Sequence, residues 1–259
     1  MVLSGKANRL MPFDTSVIQQ RMAAIEHIFR EVQDTLPVTM DCGPLTLEFQ
    51  KYPEMFRSIA YESASMQYAL ADIKQQHNLL HWFHFLDQHK AAHATQIYIG
   101  LGWALAQEQC PPQEFLTLCD AIDVAKAADG YGYYEGTFRR RKSVVQQQQW
   151  SHTNEVIIQH YDAGLGRSIW YAAQGSIDGA QQTITSFATH RQPYLWQGLG
   201  TAISYVGGCS GDYLKQILQV AGPYGSNLVQ GAKSVVQSRK QSGFLSPEAV
   251  ETLEIWSHG

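Results

Sequence analysis

One passage occurs twice in this chain, which predicts a fold of two like parts. Arg57-Ser58-Ile59-Ala60-Tyr61 returns as Arg167-Ser168-Ile169-Trp170-Tyr171, and Ile99-Gly100-Leu101-Gly102-Trp103-Ala104 as Gln197-Gly198-Leu199-Gly200-Thr201-Ala202. A third landmark, Tyr131-Gly132-Tyr133-Tyr134-Glu135-Gly136, is matched by Tyr224-Gly225 and then Gln230-Gly231. The three keep their order. Agreement between copies then argues for packing, and disagreement for function.

Hydrophobic spacing is helical nearly throughout. An amphipathic run through Val17, Met22, Ile25 and Ile28 follows Asp14-Thr15, which can cap it. Only 38–50 reads as irregular or β-like. Helices are expected over 53–72, 76–90, 92–108, 112–127 and 133–145. The second copy supplies 153–163, 165–174, 176–188, 190–206, 210–221 and 226–241, and 246–256 closes the chain. Pro111-Pro112, Gly207-Gly208, Gly222-Pro223 and Ser246-Pro247 punctuate them. The expected fold is all-α, an internally duplicated helical domain with pseudo-two-fold symmetry. Residues 1–50 form an N-terminal helix and connector, 51–149 the first repeat and 150–259 the second, as one unit. Glycines inside helices cost roughly 1 kcal/mol each relative to Ala, so Gly100, Gly102, Gly198 and Gly200 predict close helix approach.

The 259 residues suffice for a sizeable core. Charged residues are 16% of the chain and its net charge is −4, which argues against a broad nucleic-acid footprint. With thirteen tyrosines, this composition suits a self-association interface, as in a homodimer, or a pocket for a large uncharged ligand. The start, Met1 to Phe13, lacks the apolar core of a signal peptide. No stretch approaches the roughly 20 apolar residues of a membrane span. Cys42, Cys110, Cys119 and Cys209 are scattered, which fits a reducing compartment. The expectation is a cytoplasmic protein.

The order of DGYGYYEG at 129–136, GLGRSIWY at 164–171, YLWQGLGTAISYVGG at 194–208 and AGPYGSNLVQGA at 221–232 resembles the enediyne-associated domain-of-unknown-function family 1702 over about residues 84–240. The resemblance implies a setting in bacterial specialised metabolism, notably enediyne polyketide clusters, rather than a reaction. The family pattern often has His where this chain has Tyr98 and Tyr134, so a role needing an imidazole there does not carry over.

The copies differ at the third landmark, where Gln230 stands opposite Glu135. A carboxylate the scaffold does not need is a candidate for chemistry. Asp129 and Glu135 could act as acid and base on an unsaturated substrate if burial lifts a pKa toward neutrality, with Tyr131 beside them. The competing reading makes Glu135 a first-turn carboxylate and Asp129 a helix cap. Trp103 opposite Thr201 and Trp170 opposite Ala60 suggest an unequally lined cavity, with Tyr98 and Tyr134 as further substrate contacts. Arg57 and Arg167 either tie helices together or clamp a carboxylate or phosphate.

His77, His81, His84, His89 and His93 crowd one region, but Leu79, Trp82, Phe83 and Leu86 make the apolar stripe there. His77, His81 and His84 then fall on a solvated face, and no metal site is expected. No nucleotide or flavin motif occurs, so no cofactor is expected. Arg139-Arg140-Arg141-Lys142 is a solvated face or a docking patch for an acyl-carrier protein. The leading expectation is a biosynthetic protein that binds a long apolar or polyunsaturated intermediate and catalyses cofactor-free isomerisation or cyclisation. The alternatives are a non-catalytic helical-repeat carrier or partner-binding protein, and a His-ligated metalloenzyme.

Overall fold

The computed structural model describes residues 13–39, 41–75, 78–110, 121–148 and 154–258. Cys119, His77 and most of the helix expected over 112–127 lie outside them. Every regular element among the described residues is helical. They are α1 (Ser16–Thr35), the short α2 (Leu45–Glu48), α3 (Ser58–Gln75), α4 (Leu80–Gln107), α5 (Ala121–Phe138), α6 (Glu155–Ala172), α7 (Ile177–Thr185), α8 (Gln192–Val206), α9 (Gly211–Ala221), α10 (Gly225–Gln241) and α11 (Pro247–His258). The all-α expectation holds. The segment read as β-like is α2 followed by a 3-10 turn over Phe49–Lys51.

Glycine sets the arrangement. Gly100, Gly130, Gly164, Gly198 and Gly231 recur every 30–34 residues, one on each of α4, α5, α6, α8 and α10. At each, a Cβ would collide with the backbone of the preceding helix of this set, or with α3 in the case of Gly100. On α4, α5, α6 and α8 a second glycine two residues on (Gly102, Gly132, Gly166, Gly200) meets the backbone of the next helix. A helix packed that closely on both sides needs a bare Cα on both, hence Gly-x-Gly. The propensity penalty is offset by the main-chain contact it permits.

These five helices form one continuous wall. Contacts between neighbours advance together along both chains, from Tyr98–Lys126 on α4 and α5 to Gln107 and Arg139, just past the end of α5, and from Gly200–Leu228 to Tyr205–Arg239 on α8 and α10. Each neighbouring pair therefore runs parallel, and α7 and α9 carry the chain back between strides. A period near 33 residues with one inner and one outer helix is the pattern of an α-helical repeat array. The wall closes on itself where Gln96 donates to Ser238 and Gln241 to the Ala91 carbonyl. The order of the partners is reversed there, so successive crossings have turned the wall through a large angle.

The two-copy reading is corrected by this ladder. Gly100 and Gly198 are three steps apart on it, with Gly130 and Gly164 between. The third landmark is out of register: Gly136 faces the Ser168 side chain, whereas Gly231 faces main chain, as Gly130 does. The boundary at 149/150 falls between α5 and α6, which pack through Gly132, Gly136 and Gly164. Asp129–Gly136, expected as a Gly-rich turn, lies inside α5, and Gly164-Leu165-Gly166 inside α6.

α3 stands apart from the ladder. It runs antiparallel to α4, with α1 on another side, and is buried almost all round, from Ile59 to Asp72. The helices expected over 76–90 and 92–108 are one element, α4, interrupted at His93, whose φ of −130° is non-helical. The His93 ring stacks on Tyr61 at 3.7 Å.

Candidate functional site

The wall and α3 enclose a lumen. In the ladder register, the residue three beyond each first glycine points inward: Trp103, Tyr133, Arg167, Thr201 and Ser234. Two cavities result. The first, about 380 Å³, is lined from α3, α4, α5, α6, α8 and α10 by residues such as Ile99, His160, Thr201 and Ser238. The second, about 570 Å³, lies under α1 and is lined by Met22, Phe29, Trp103, Tyr133, Tyr134 and Phe138 among others. Ile59, Glu62, Arg167 and Tyr171 line both.

That shared septum carries the charge. Arg167 pairs directly with Asp129 and lies 3.9 Å from Glu62. Its guanidinium also covers the Tyr133 ring, 4.7 Å from the centroid. Burial works against the cation, but Asp129 and Glu62 outweigh it and hold its pKa above the ordinary arginine value. One arginine cannot fully compensate two buried carboxylates. Burial pushes the Glu62 carboxyl up to about 7; Arg167 pulls it down, and the negative Asp129 adds to the rise. Glu62 therefore exchanges its proton near neutral pH, as a general acid or base requires. Burial also raises the pKa of Tyr133 and Tyr171, which keeps both phenols protonated as hydrogen-bond donors. On the first-cavity side, burial lowers the pKa of His160, with Asp129 opposing.

The residues expected from the sequence are thus divided. Asp129, Arg167, Trp103 and Tyr134 line the cavities. Glu135 does not. It is buried on another face of α5, accepts a 2.6 Å hydrogen bond from the Tyr161 hydroxyl and lies 3.5 Å from Arg139. It is neither a first-turn residue nor a lumen residue: the α5 residues that line the cavities are Lys126, Asp129, Tyr133, Tyr134, Thr137 and Phe138. Tyr131 shares Glu135's side of the helix and packs near Tyr161. Tyr98 packs on Trp82 beneath Lys126, and Trp170 is wholly buried; neither lines a cavity. Arg57 is not a symmetric partner of Arg167 but lies at the start of α3 in a separate small cavity.

Sequence comparison missed Glu62. It lies on α3, outside the ladder, where no internal partner exposes it. A signal was present: it is the single charged residue between Arg57 and Asp72.

The histidines do not all face solvent. His81 contacts the buried Asp72 at 2.5 Å, while His89 is buried and His93 half-buried. Burial pushes the His93 imidazole down to about 4, with His89 and Arg57 adding to the shift. No group of three His, Cys, Asp or Glu among the described residues is placed to hold a metal ion. No helix among them is long and apolar enough to cross a membrane.

Fold and site together define an all-helical protein with a ligand-sized lumen divided by buried charge. The chain belongs to the family described as protein of unknown function (DUF1702), whose model matches residues 17–257. No curated protein and no solved structure matches it.

Proposed function

We propose that this protein takes a long, largely apolar or polyunsaturated intermediate of bacterial specialised metabolism into its lumen and moves a proton on it without a cofactor. The observation that carries the reading is Glu62, a buried carboxyl with a pKa of about 7, lining both cavities beside a single arginine. A ligand lying through both cavities would pass this carboxyl. In an isomerisation, the Glu62 carboxylate takes a proton from an activated C–H, leaving a delocalised anion. The same carboxyl then returns the proton to a conjugated carbon. Electrons and atoms balance with no oxidant. The Tyr171 phenol, present in both cavities, can donate to a carbonyl oxygen on which the negative charge rests, and Arg167 lowers the energy of that charge. Asp129 acts through Arg167 as a positioning residue.

A second reading, a non-catalytic carrier, is favoured by the repeat-array architecture, which commonly presents binding surfaces. Native mass spectrometry and titration with a conjugated polyene fatty acid test the shared part. Saturable binding with one ligand per chain is expected, and absence of saturation overturns both readings. Incubating the bound ligand in deuterated water separates them. Deuterium uptake at carbon, at least about 100-fold faster than in Glu62→Gln, supports catalysis; equal exchange by the two proteins leaves the carrier reading alone.

A further inference from the structure

A third, smaller cavity of about 150 Å³ lies behind the lumen wall, between the turn preceding α3, the kink of α4 and the end of α10. Arg57, His93 and Arg239 line it together with Ser58, Tyr61 and Ser242. We propose that it is a binding site for a phosphate-class oxyanion, separate from the lumen.

Two arginines here lack a carboxylate partner, although the Arg239 guanidinium lies against the Tyr205 and Phe244 rings, and a neutral imidazole stands beside them. Arg239 is only 5% exposed. Its two terminal nitrogens are used, donating to the Met55 and Tyr205 carbonyls at 2.8 Å, but its buried Nε has no partner in the protein. Arg57 also has a buried, unpartnered Nε, and its single bond, to the Tyr52 carbonyl, is long at 3.5 Å. The buried Nδ1 of His93 is unpartnered as well. Three nitrogen-bearing side chains with unmet hydrogen-bonding capacity thus line one cavity. Neither arginine has a carboxylate within ion-pair distance among the described residues. Glu54, the acidic residue in the lining, is exposed.

This contrasts with the other strongly buried arginines. Arg191 is held by Asp162 and Arg167 by Asp129. Leaving two guanidinium groups partly buried without a counter-ion is unfavourable, and an oxyanion resolves it. Arginine favours tetrahedral oxyanions through its fork of donors. The Ser58 hydroxyl, when it accepts from the Tyr205 hydroxyl 2.6 Å away, has its own proton to donate at that scale, whereas Ser242 donates to the Arg239 carbonyl. The site adjoins the lumen wall, since Ser58 Oγ and the Tyr205 hydroxyl are 2.6 Å apart and Tyr205 lines the first cavity.

Isothermal titration of the full chain with inorganic phosphate in chloride buffer tests the proposal, with thermal unfolding in parallel. One saturable site and a raised Tm are expected. Arg57→Gln makes the decisive variant, because the fold leans on Arg57 through one long bond only. It should weaken phosphate at least tenfold with little change in the Tm of the phosphate-free protein. Ser242→Asp offers an independent check: it places a carboxylate in the cavity, and should raise the phosphate-free Tm while abolishing phosphate binding. No saturation in the wild type, or unchanged affinity in Arg57→Gln, overturns the site. Equal affinity for acetate overturns its assignment to a tetrahedral oxyanion.

Discussion

At the scale of single residues, Glu62 makes the sharpest prediction. Its folded pKa is about 7 against an ordinary 4.5. Between those values the folded chain keeps a proton that the unfolded chain has lost, so this group's contribution to stability falls as pH rises through that window. The full span amounts to about 3 kcal/mol at most. Glu62→Gln removes the slope. Urea unfolding at pH 5 and pH 8 should show the variant gaining stability relative to wild type by about 2–3 kcal/mol between the two. An unchanged difference would mean that Glu62 is ionised at both pH values. Glu135→Gln should behave differently, because its carboxylate accepts from the Tyr161 hydroxyl away from the lumen. It should cost about 1–3 kcal/mol by weakening a buried charge-assisted hydrogen bond, with ligand affinity in the lumen unchanged. A tenfold loss of affinity would return Glu135 to the site.

Helix by helix, the glycine ladder explains what the motifs meant. Gly198 faces the Ala163 main chain so closely that a Cβ has no room, and the obstacle is backbone, not a movable side chain. Gly198→Ala should therefore destabilise by about 2 kcal/mol or more, read as a fall in Tm. Gly179 in α7 makes the contrast, since a Cβ there meets only ordinary contacts beginning 3.6 Å away at Ala173. Gly179→Ala should stabilise by a few tenths to about 1 kcal/mol through helix propensity. Two equal effects would refute the packing argument. The ladder also repairs the reasoning that singled out Glu135. Comparing repeats at the position before each first glycine gives Ile99, Asp129, Ala163, Gln197 and Gln230; three beyond it stand Trp103, Tyr133, Arg167, Thr201 and Ser234. Only Asp129 and Arg167 are charged in those two rows, and they form the buried pair. In the ladder's register, the unequal positions are Asp129 and Arg167 rather than Glu135.

For the whole molecule, closure of the wall on α10 creates the lumen, and filling the lumen is its test. Thr201 occupies the step that Trp103 occupies three repeats earlier, and faces the first cavity. Thr201→Trp should reduce polyene binding at least tenfold while the far-ultraviolet circular dichroism stays that of the wild type. Undiminished binding would move the ligand out of the first cavity.

The sequence by itself determined the helical class, most helix boundaries from α6 onward, and the close-packing role of the glycines. These are local properties, set by hydrophobic spacing, caps and the absence of a Cβ. It also held the true period of about 33 residues, in Gly-Leu-Gly at 100–102, 164–166 and 198–200 and Gly-Tyr-Gly at 130–132, which pairing the first of these triplets with the last passes over. Only the tertiary structure decided which face of each helix looks inward. Asp129 and Tyr131 are two residues apart on α5, yet one lines the lumen and the other packs near Tyr161. It alone brought Glu62 from α3 to Arg167 on α6, and Arg57 to Arg239 across most of the chain. Those pairings depend on how far the wall turns before it closes, a sum of small crossings at five glycine contacts that no local stretch of sequence records.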